Sequence, residues 1–115
     1  MKFLPAEPSL NFPAVRYVSE QGKWEIGLFP VMFGVRVRMG PVNAPYCSID
    51  YCAGADVEFQ HKLMATVMVI LAPVDESISP DAIERIFPGY NRKPINNDPC
   101  WTKLQALANS ILVAS

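Results

Sequence analysis

The stretch GVRVRMGPVNAPYCSIDYC, residues 34–52, decides the fold because it alternates apolar and polar residues on both sides of a turn. In its first half, Val35, Val37 and Met39 alternate with two arginines. Successive side chains of a β-strand point to opposite faces, so each half predicts a strand with one apolar face and one polar face. The intervening GPVNAP contains a glycine and two prolines, which are typical of a turn.

The two strands also agree on one antiparallel register. If the loop closes symmetrically, apolar residues face apolar residues across the pair. On the opposite face, Arg36 then meets Asp50, and Arg38 meets Ser48. This agreement between both faces is what a correct antiparallel pairing shows.

The stretch just before it, AVRYVSEQGKWEIGLF, predicts another hairpin. A two-residue turn at Gln21-Gly22 pairs Tyr17 with Ile26, and glycine suits the positive φ of such turns. We expect Phe29-Pro30 to end this strand, because proline has no N–H for the ladder. Residues 31–34 are then expected to form a loop.

Three helices are predicted after the sheet. Asp56 is a suitable N-cap for a helix that runs to about Ala72, and Ser79-Pro80-Asp81 and Asp98-Pro99 begin two more. Gln60 is the one polar residue within the wide apolar stripe of the long helix, which contains Val57, Phe59, Leu63, Met64, Val67, Met68, Ile70 and Leu71. The predicted fold class is α+β: an antiparallel sheet of about four strands in the N-terminal half, covered on one face by two longer helices and one short helix in the C-terminal half.

Size and composition indicate one globular domain. The chain has 115 residues, of which 50% are hydrophobic and 18% charged, so it can bury a core. Three prolines in residues 1–13 predict an extended arm before a single domain over residues 14–115.

The sequence has no signal-peptide pattern and no apolar run of the ~18 to 20 residues that span a bilayer. Three cysteines, an odd number, fit reduced thiols, so a cytoplasmic location is expected.

No residue pattern predicts catalysis. Cys47 and Cys52 are five positions apart on one predicted strand, so they lie on opposite faces and cannot share a metal ion. His61 is the single histidine, and nothing near it in the sequence forms a nucleophile–base pair with it. Phosphate-binding glycine motifs are absent from the sequence. We therefore expect a non-enzymatic protein with no cofactor and no metal.

The residues best suited to binding lie on two predicted surfaces. The sheet face away from the helices carries Arg16, Arg36, Arg38, Ser48 and Asp50, and the long helix carries Met64 and Met68. Surplus apolar side chains on a small soluble domain often mark an interface, and two-fold dimers are the commonest oligomers. The leading interpretation is a small interaction or assembly domain that acts through protein–protein contacts and associates with itself.

Two other function classes stay open. The face with Arg16, Arg36 and Arg38 could bind nucleic acid, although the formal net charge of −1 shows no basic excess. The strand-to-helix turn from Asp50 to Asp56 could bind a small ligand or an anion, because a helix N-terminus presents free N–H groups. The residues of that alternative ligand site are Asp50, Cys52, Gly54 and His61.

Overall fold

The computed structural model describes residues 1–32, 34–42, 47–48, 57–87 and 105–110. Five antiparallel strands form one sheet in chain order: β1 (Phe3–Pro5), β2 (Val15–Ser19), β3 (Trp24–Val31), β4 (Gly34–Pro41) and β5 (Cys47–Ser48). The helices α1 (Val57–Leu71) and α2 (Pro80–Ile86) follow, and residues 105–110 are also helical. An antiparallel sheet followed by helices is thus confirmed, and β1 adds an edge strand that the sequence pattern did not predict.

β2 with β3, and β4 with β5, pair in the predicted registers over the residues that the structure describes. Tyr17 of β2 lies opposite Ile26 of β3, and Arg38 of β4 lies opposite Ser48 of β5. Asp50, the predicted partner of Arg36, lies outside the described residues. The register matters because a shift of one residue would turn every side chain of a strand to the other face.

The predicted end of β3 at Phe29-Pro30, with a loop over residues 31–34, is wrong. β3 continues to Val31, β4 begins at Gly34, and Pro30 lies opposite Val35. In a hairpin with a two-residue connection, the flanking pair shares the ladder hydrogen bonds and the next pair does not. The backbone nitrogen of Pro30 therefore points away from β4. Because no ladder hydrogen bond to β4 is expected there, the N–H that proline lacks costs this pairing nothing.

The turn between β2 and β3 spans four residues rather than the predicted two. The carbonyl of Ser19 accepts from the N–H of Gly22 at 2.8 Å, and Gly22 has a φ of 75°, which glycine adopts readily. The loop after α1 holds this turn in place. The carboxylate of Glu76 accepts from the N–H of Gln21 at 3.0 and 3.2 Å, and its backbone carbonyl accepts from Nε1 of Trp24 at 2.9 Å.

The core lies between one face of the sheet and the helices. α1 packs against β4 and β3, and α2 adds its own apolar side chains. The larger buried apolar residues are Trp24, Ile26, Leu28, Val37 and Met39 from the sheet, Leu63, Met64, Val67, Ile70 and Leu71 from α1, and Ile83 and Phe87 from α2 and its end.

The helix ends follow the sequence signals where the structure describes them. The hydroxyl of Ser79 accepts from the N–H of Ala82 at 3.2 Å and caps α2, as predicted. Asp56, the predicted cap of α1, lies outside the described residues. Val57, which the predicted apolar stripe included, is 47% exposed at the first turn of α1.

The N-terminal ammonium closes the other end of α1. Met1 donates to the carbonyls of Leu71 at 2.6 Å, of Ala72 at 3.1 Å and of Val74. Carbonyls at the end of a helix have no partner within the helix. Since the last turn of α1 has no basic side chain, the ammonium supplies the positive charge that the helix dipole favours there.

Gln60, the polar residue within the apolar stripe, joins α1 to β4. It is 1% exposed, and its side-chain oxygen accepts from the N–H of Val37 at 2.9 Å. Val37 lies opposite Leu28, in a pair that shares no ladder hydrogen bonds, so its N–H points away from β3. Gln60 therefore satisfies a buried backbone donor that β3 leaves unpaired.

Replacing Gln60 with leucine should lower the free energy of unfolding by about 1–3 kcal/mol, because the buried N–H of Val37 loses its acceptor. Urea denaturation measures this change. Gln105→Leu is the matched control, since Gln105 is exposed within a helical segment, and it should stay within about 0.5 kcal/mol of the unchanged protein. Equal stability of both variants would show that the Gln60 bond does not hold α1.

Candidate functional site

The sheet face turned away from the helices carries a cluster of charged and aromatic side chains. We call it the arginine face, and its members are Arg16, Glu25, Phe29, Arg36 and Arg38. The strand registers place Arg16, Gly27, Arg38 and Ser48 in one row across β2 to β5. In the neighbouring row, Phe29 lies opposite Arg36.

Arg38 combines a stabilising contact with an unmet hydrogen bond. Its guanidinium lies over the ring of Phe29, 3.6 Å from the ring centroid, and such a cation–π contact contributes about 0.5–2 kcal/mol. Its Nε is buried and has no hydrogen-bond partner, the one such side-chain atom among the described residues. A buried donor without an acceptor costs about 1–3 kcal/mol, so the ring holds a guanidinium whose Nε is left unsatisfied.

Arg16, in contrast, is engaged within the domain. Its Nε lies 3.5 Å from Oε1 of Glu25, and the two side chains are 19% and 3% exposed. Its Nη1 also donates to the carbonyl of Glu7 at 3.1 Å. A buried carboxylate needs such a partner because burying an unpaired charge is costly. The charge of Arg16 therefore balances Glu25 and is a poor choice for a ligand contact.

The N-terminal arm crosses the middle of the arginine face. Phe12 is fully buried and packs on Gly27, where a Cβ would lie 2.6 Å from Cδ1 of Phe12 and 2.4 Å from the carbonyl oxygen of Val15. A local turn holds the arm, since the hydroxyl of Ser9 accepts from the N–H of Phe12 at 3.2 Å. Only glycine at position 27 leaves room for both the ring and the backbone.

The residues predicted to bind on two surfaces lie in three kinds of place. Arg36 and Arg38 share the outer face, with Ser48 opposite Arg38. Met64 does not lie on a surface: it is 4% exposed and belongs to the core, because it points toward the sheet on the same side of α1 as Leu63 and Val67. Met68 is half-buried beside a groove.

Of the alternative ligand site at the strand-to-helix turn, the structure describes only His61. This residue lies on the exposed side of α1. Asp50, Cys52 and Gly54 lie outside the described residues. Within the described ranges, no group of three or more His, Cys, Asp or Glu side chains is arranged to hold a metal ion.

Three residues of this region, Phe29, Glu25 and Phe12, were not predicted to belong to a site, each for a different reason. Phe29 is missed when Pro30 is taken as the end of β3, because its contact with Arg38 depends on the pairing of β3 with β4, which was not predicted. Glu25 lies diagonally across from Arg16 in the β2–β3 register. The predicted hairpin already had this register, so the pair could have been found from the sequence. No local signal places Phe12 on Gly27, because the contact joins the arm to the middle of β3.

Comparison with known proteins found no match among family models, curated proteins or solved structures. In the described part of the chain, every helix is too short or too polar to cross a membrane. A functional proposal therefore rests on the geometry of the surfaces.

A double-mutant cycle should detect the contact between Arg38 and Phe29. Phe29→Leu and Arg38→Met, made singly and together, should show a coupling free energy of about 0.5–2 kcal/mol in urea denaturation. Arg85 is exposed at the end of α2, so Arg85→Met combined with Phe29→Leu should be additive within about 0.5 kcal/mol. Additivity of the first pair would mean that the ring does not hold the guanidinium.

Gly27→Ala should destabilise the protein by about 1–3 kcal/mol, because the added methyl group overpacks against Phe12 and the backbone of Val15. Gly22→Ala is the comparison: no atom lies within 4 Å of its added Cβ, so only the positive φ opposes it. Limited proteolysis near the exposed Leu10 reports release of the arm. Faster cleavage is expected for Gly27→Ala alone, and equal cleavage of both variants would argue against this packing.

Proposed function

We propose that this protein is a non-enzymatic interaction domain and that its arginine face binds an acidic segment of a partner protein. The observation that supports this most directly is Arg38, whose guanidinium lies 3.6 Å from the centroid of the Phe29 ring while the residue stays only partly buried. A guanidinium already held by a ring loses little conformational freedom on binding. Its planar donors match the two oxygens of a carboxylate.

A carboxylate would pair with the accessible part of the Arg38 guanidinium, because the residue as a whole is only partly buried. Hydrogen bonds that involve a charged group contribute about 1.5–3 kcal/mol. Arg36, opposite Phe29 in the sheet, adds positive charge to the same patch and would increase the rate of encounter with an acidic partner.

Nucleic acid is the rival ligand, and the aromatic residues argue against it. Single-stranded nucleic acids bind sheets by stacking bases on exposed rings. Phe12 is fully buried, and one face of the Phe29 ring is covered by Arg38. Since Arg16 is paired with Glu25 and the chain has a formal net charge of −1, an acidic protein segment is the better match.

Self-association through this face is also disfavoured. A two-fold interface brings the same patch of both copies together, so Arg38 would approach another positively charged surface, which is unfavourable. We therefore propose a different protein as the partner. A cytoplasmic location stays part of the proposal, because an odd number of cysteines fits a reducing compartment.

A fluorescein-labelled glutamate-rich peptide tests the proposal by fluorescence anisotropy. Arg38→Ala should raise the Kd of the peptide by about tenfold or more, as expected for loss of a charge-assisted hydrogen bond. Arg85→Ala makes the same charge change at an exposed position of α2 and should leave the Kd within about twofold. The same peptide with glutamines in place of glutamates should not bind.

Two further measurements distinguish the rivals. A labelled single-stranded oligonucleotide that binds more tightly than the peptide, with steep salt dependence, would assign nucleic acid instead. A solution mass above 12.8 kDa that returns to the monomer value in Arg38→Ala would assign a second copy. Failure of the unchanged protein to bind the peptide would contradict the proposal directly.

A further inference from the structure

An apolar groove lies on the opposite side of the sheet, between α1 and the first two strands. Its volume is about 640 Å³, within the range of about 300–1,000 Å³ that is common for small-molecule sites. Phe3 of β1 and Tyr17 of β2 line one side, and Ala65 and Met68 of α1, with Ala72 just after the helix, line the other.

The groove exists because the sheet is wider than the helix that covers it. Five strands at about 4.8 Å spacing span about 20 Å, whereas an α-helix with its side chains is about 10–12 Å across. α1 packs on β4 and β3, so the inner face of β1 and β2 remains open beside it. Tyr17 belongs to this inner face, since it lies opposite the buried Ile26.

A strand from a partner does not fit this edge of the sheet. The N–H of Ala6 donates to Arg16 and the carbonyl of Lys2 accepts from Glu20, so the backbone groups of Phe3 and Pro5 point to the open edge. Pro5 has no N–H to offer there, which blocks strand addition. A second copy does not fit either, because a two-fold contact would oppose two concave surfaces.

The charge at the groove indicates the class of ligand. Lys2 carries the one charged side chain among the described lining residues and is exposed. Tyr17 adds a hydroxyl group, while the ammonium of Met1 is engaged by the carbonyls at the end of α1. A single cation beside a long apolar surface matches a molecule with an anionic head and a hydrocarbon tail.

We propose that this groove binds a long-chain carboxylate. The hydrocarbon tail lies between the aromatic side chains of Phe3 and Tyr17 and the surface of α1, and the carboxylate lies at Lys2. This site is independent of the arginine face, because the two lie on opposite sides of the sheet.

Isothermal titration with dodecanoate, below its micelle concentration, tests the tail site. Ala65 and Ala72 are exposed, so Ala65→Phe and Ala72→Phe fill the groove without repacking the core. Each should weaken binding at least about tenfold, which corresponds to lost contact for about two methylene groups. Ala106→Phe, at an exposed alanine of the helical segment 105–110, should leave binding unchanged.

Lys2→Met tests the head-group contact. It should weaken dodecanoate binding by about two- to fivefold, as expected for an exposed ion pair, and leave the binding of uncharged dodecanol unchanged. Lys62→Met, on the exposed side of α1, should affect neither ligand, and melting curves confirm that each variant is folded. The tail site is overturned if the unchanged protein does not bind dodecanoate or if both alanine variants bind it normally. The head-group assignment is overturned if Lys2→Met binds dodecanoate normally.

Discussion

The antiparallel pairing of β3 with β4 is the constraint on which the rest of the structure depends. It runs without a break from Trp24 opposite Pro41 to Val31 opposite Gly34, and it assigns every side chain of both strands to a face. Apolar residues such as Val37 reach the core, and Arg38 reaches the outside. A shift of one residue would exchange the two faces. Burying the arginines without partners would then cost several kcal/mol, a large part of the net stability of about 5–15 kcal/mol that is typical of a domain.

A few buried polar contacts decide where the helical layer sits on this sheet. Hydrophobic burial is non-directional, so the apolar stripe of α1 alone would accept several positions on the core face. The bond from Val37 to Gln60 and the bonds from Gln21 and Trp24 to Glu76 are directional. Each also satisfies a donor that would be costly to leave unpaired. Together they set the position of α1 and of the loop that follows it.

The same layout produces two surfaces of opposite chemistry. On the outside, the cross-strand neighbours bring arginines, a buried glutamate and aromatic rings together, and the stack on Phe29 keeps Arg38 in place although its Nε has no acceptor. On the inside, one long helix is too narrow to cover five strands, and an apolar groove remains beside Tyr17. The first surface suits a charged group and the second a hydrocarbon chain, so two ligands could bind without competing.

The sequence by itself determined that β2 to β5 are strands, that Tyr17 lies opposite Ile26 and Arg38 opposite Ser48, how far α1 extends and where α2 starts. These features depend on local signals: a period of two, a turn residue, and a cap followed by proline. Tertiary structure alone decided that β3 continues through Pro30, that Phe12 packs on Gly27 and that Met64 is buried. It also decided which acceptor satisfies Val37 and where the groove opens. Alternation along a strand shows that one face is apolar, but what covers that face depends on contacts between segments far apart in the chain, and these form only when the whole domain packs.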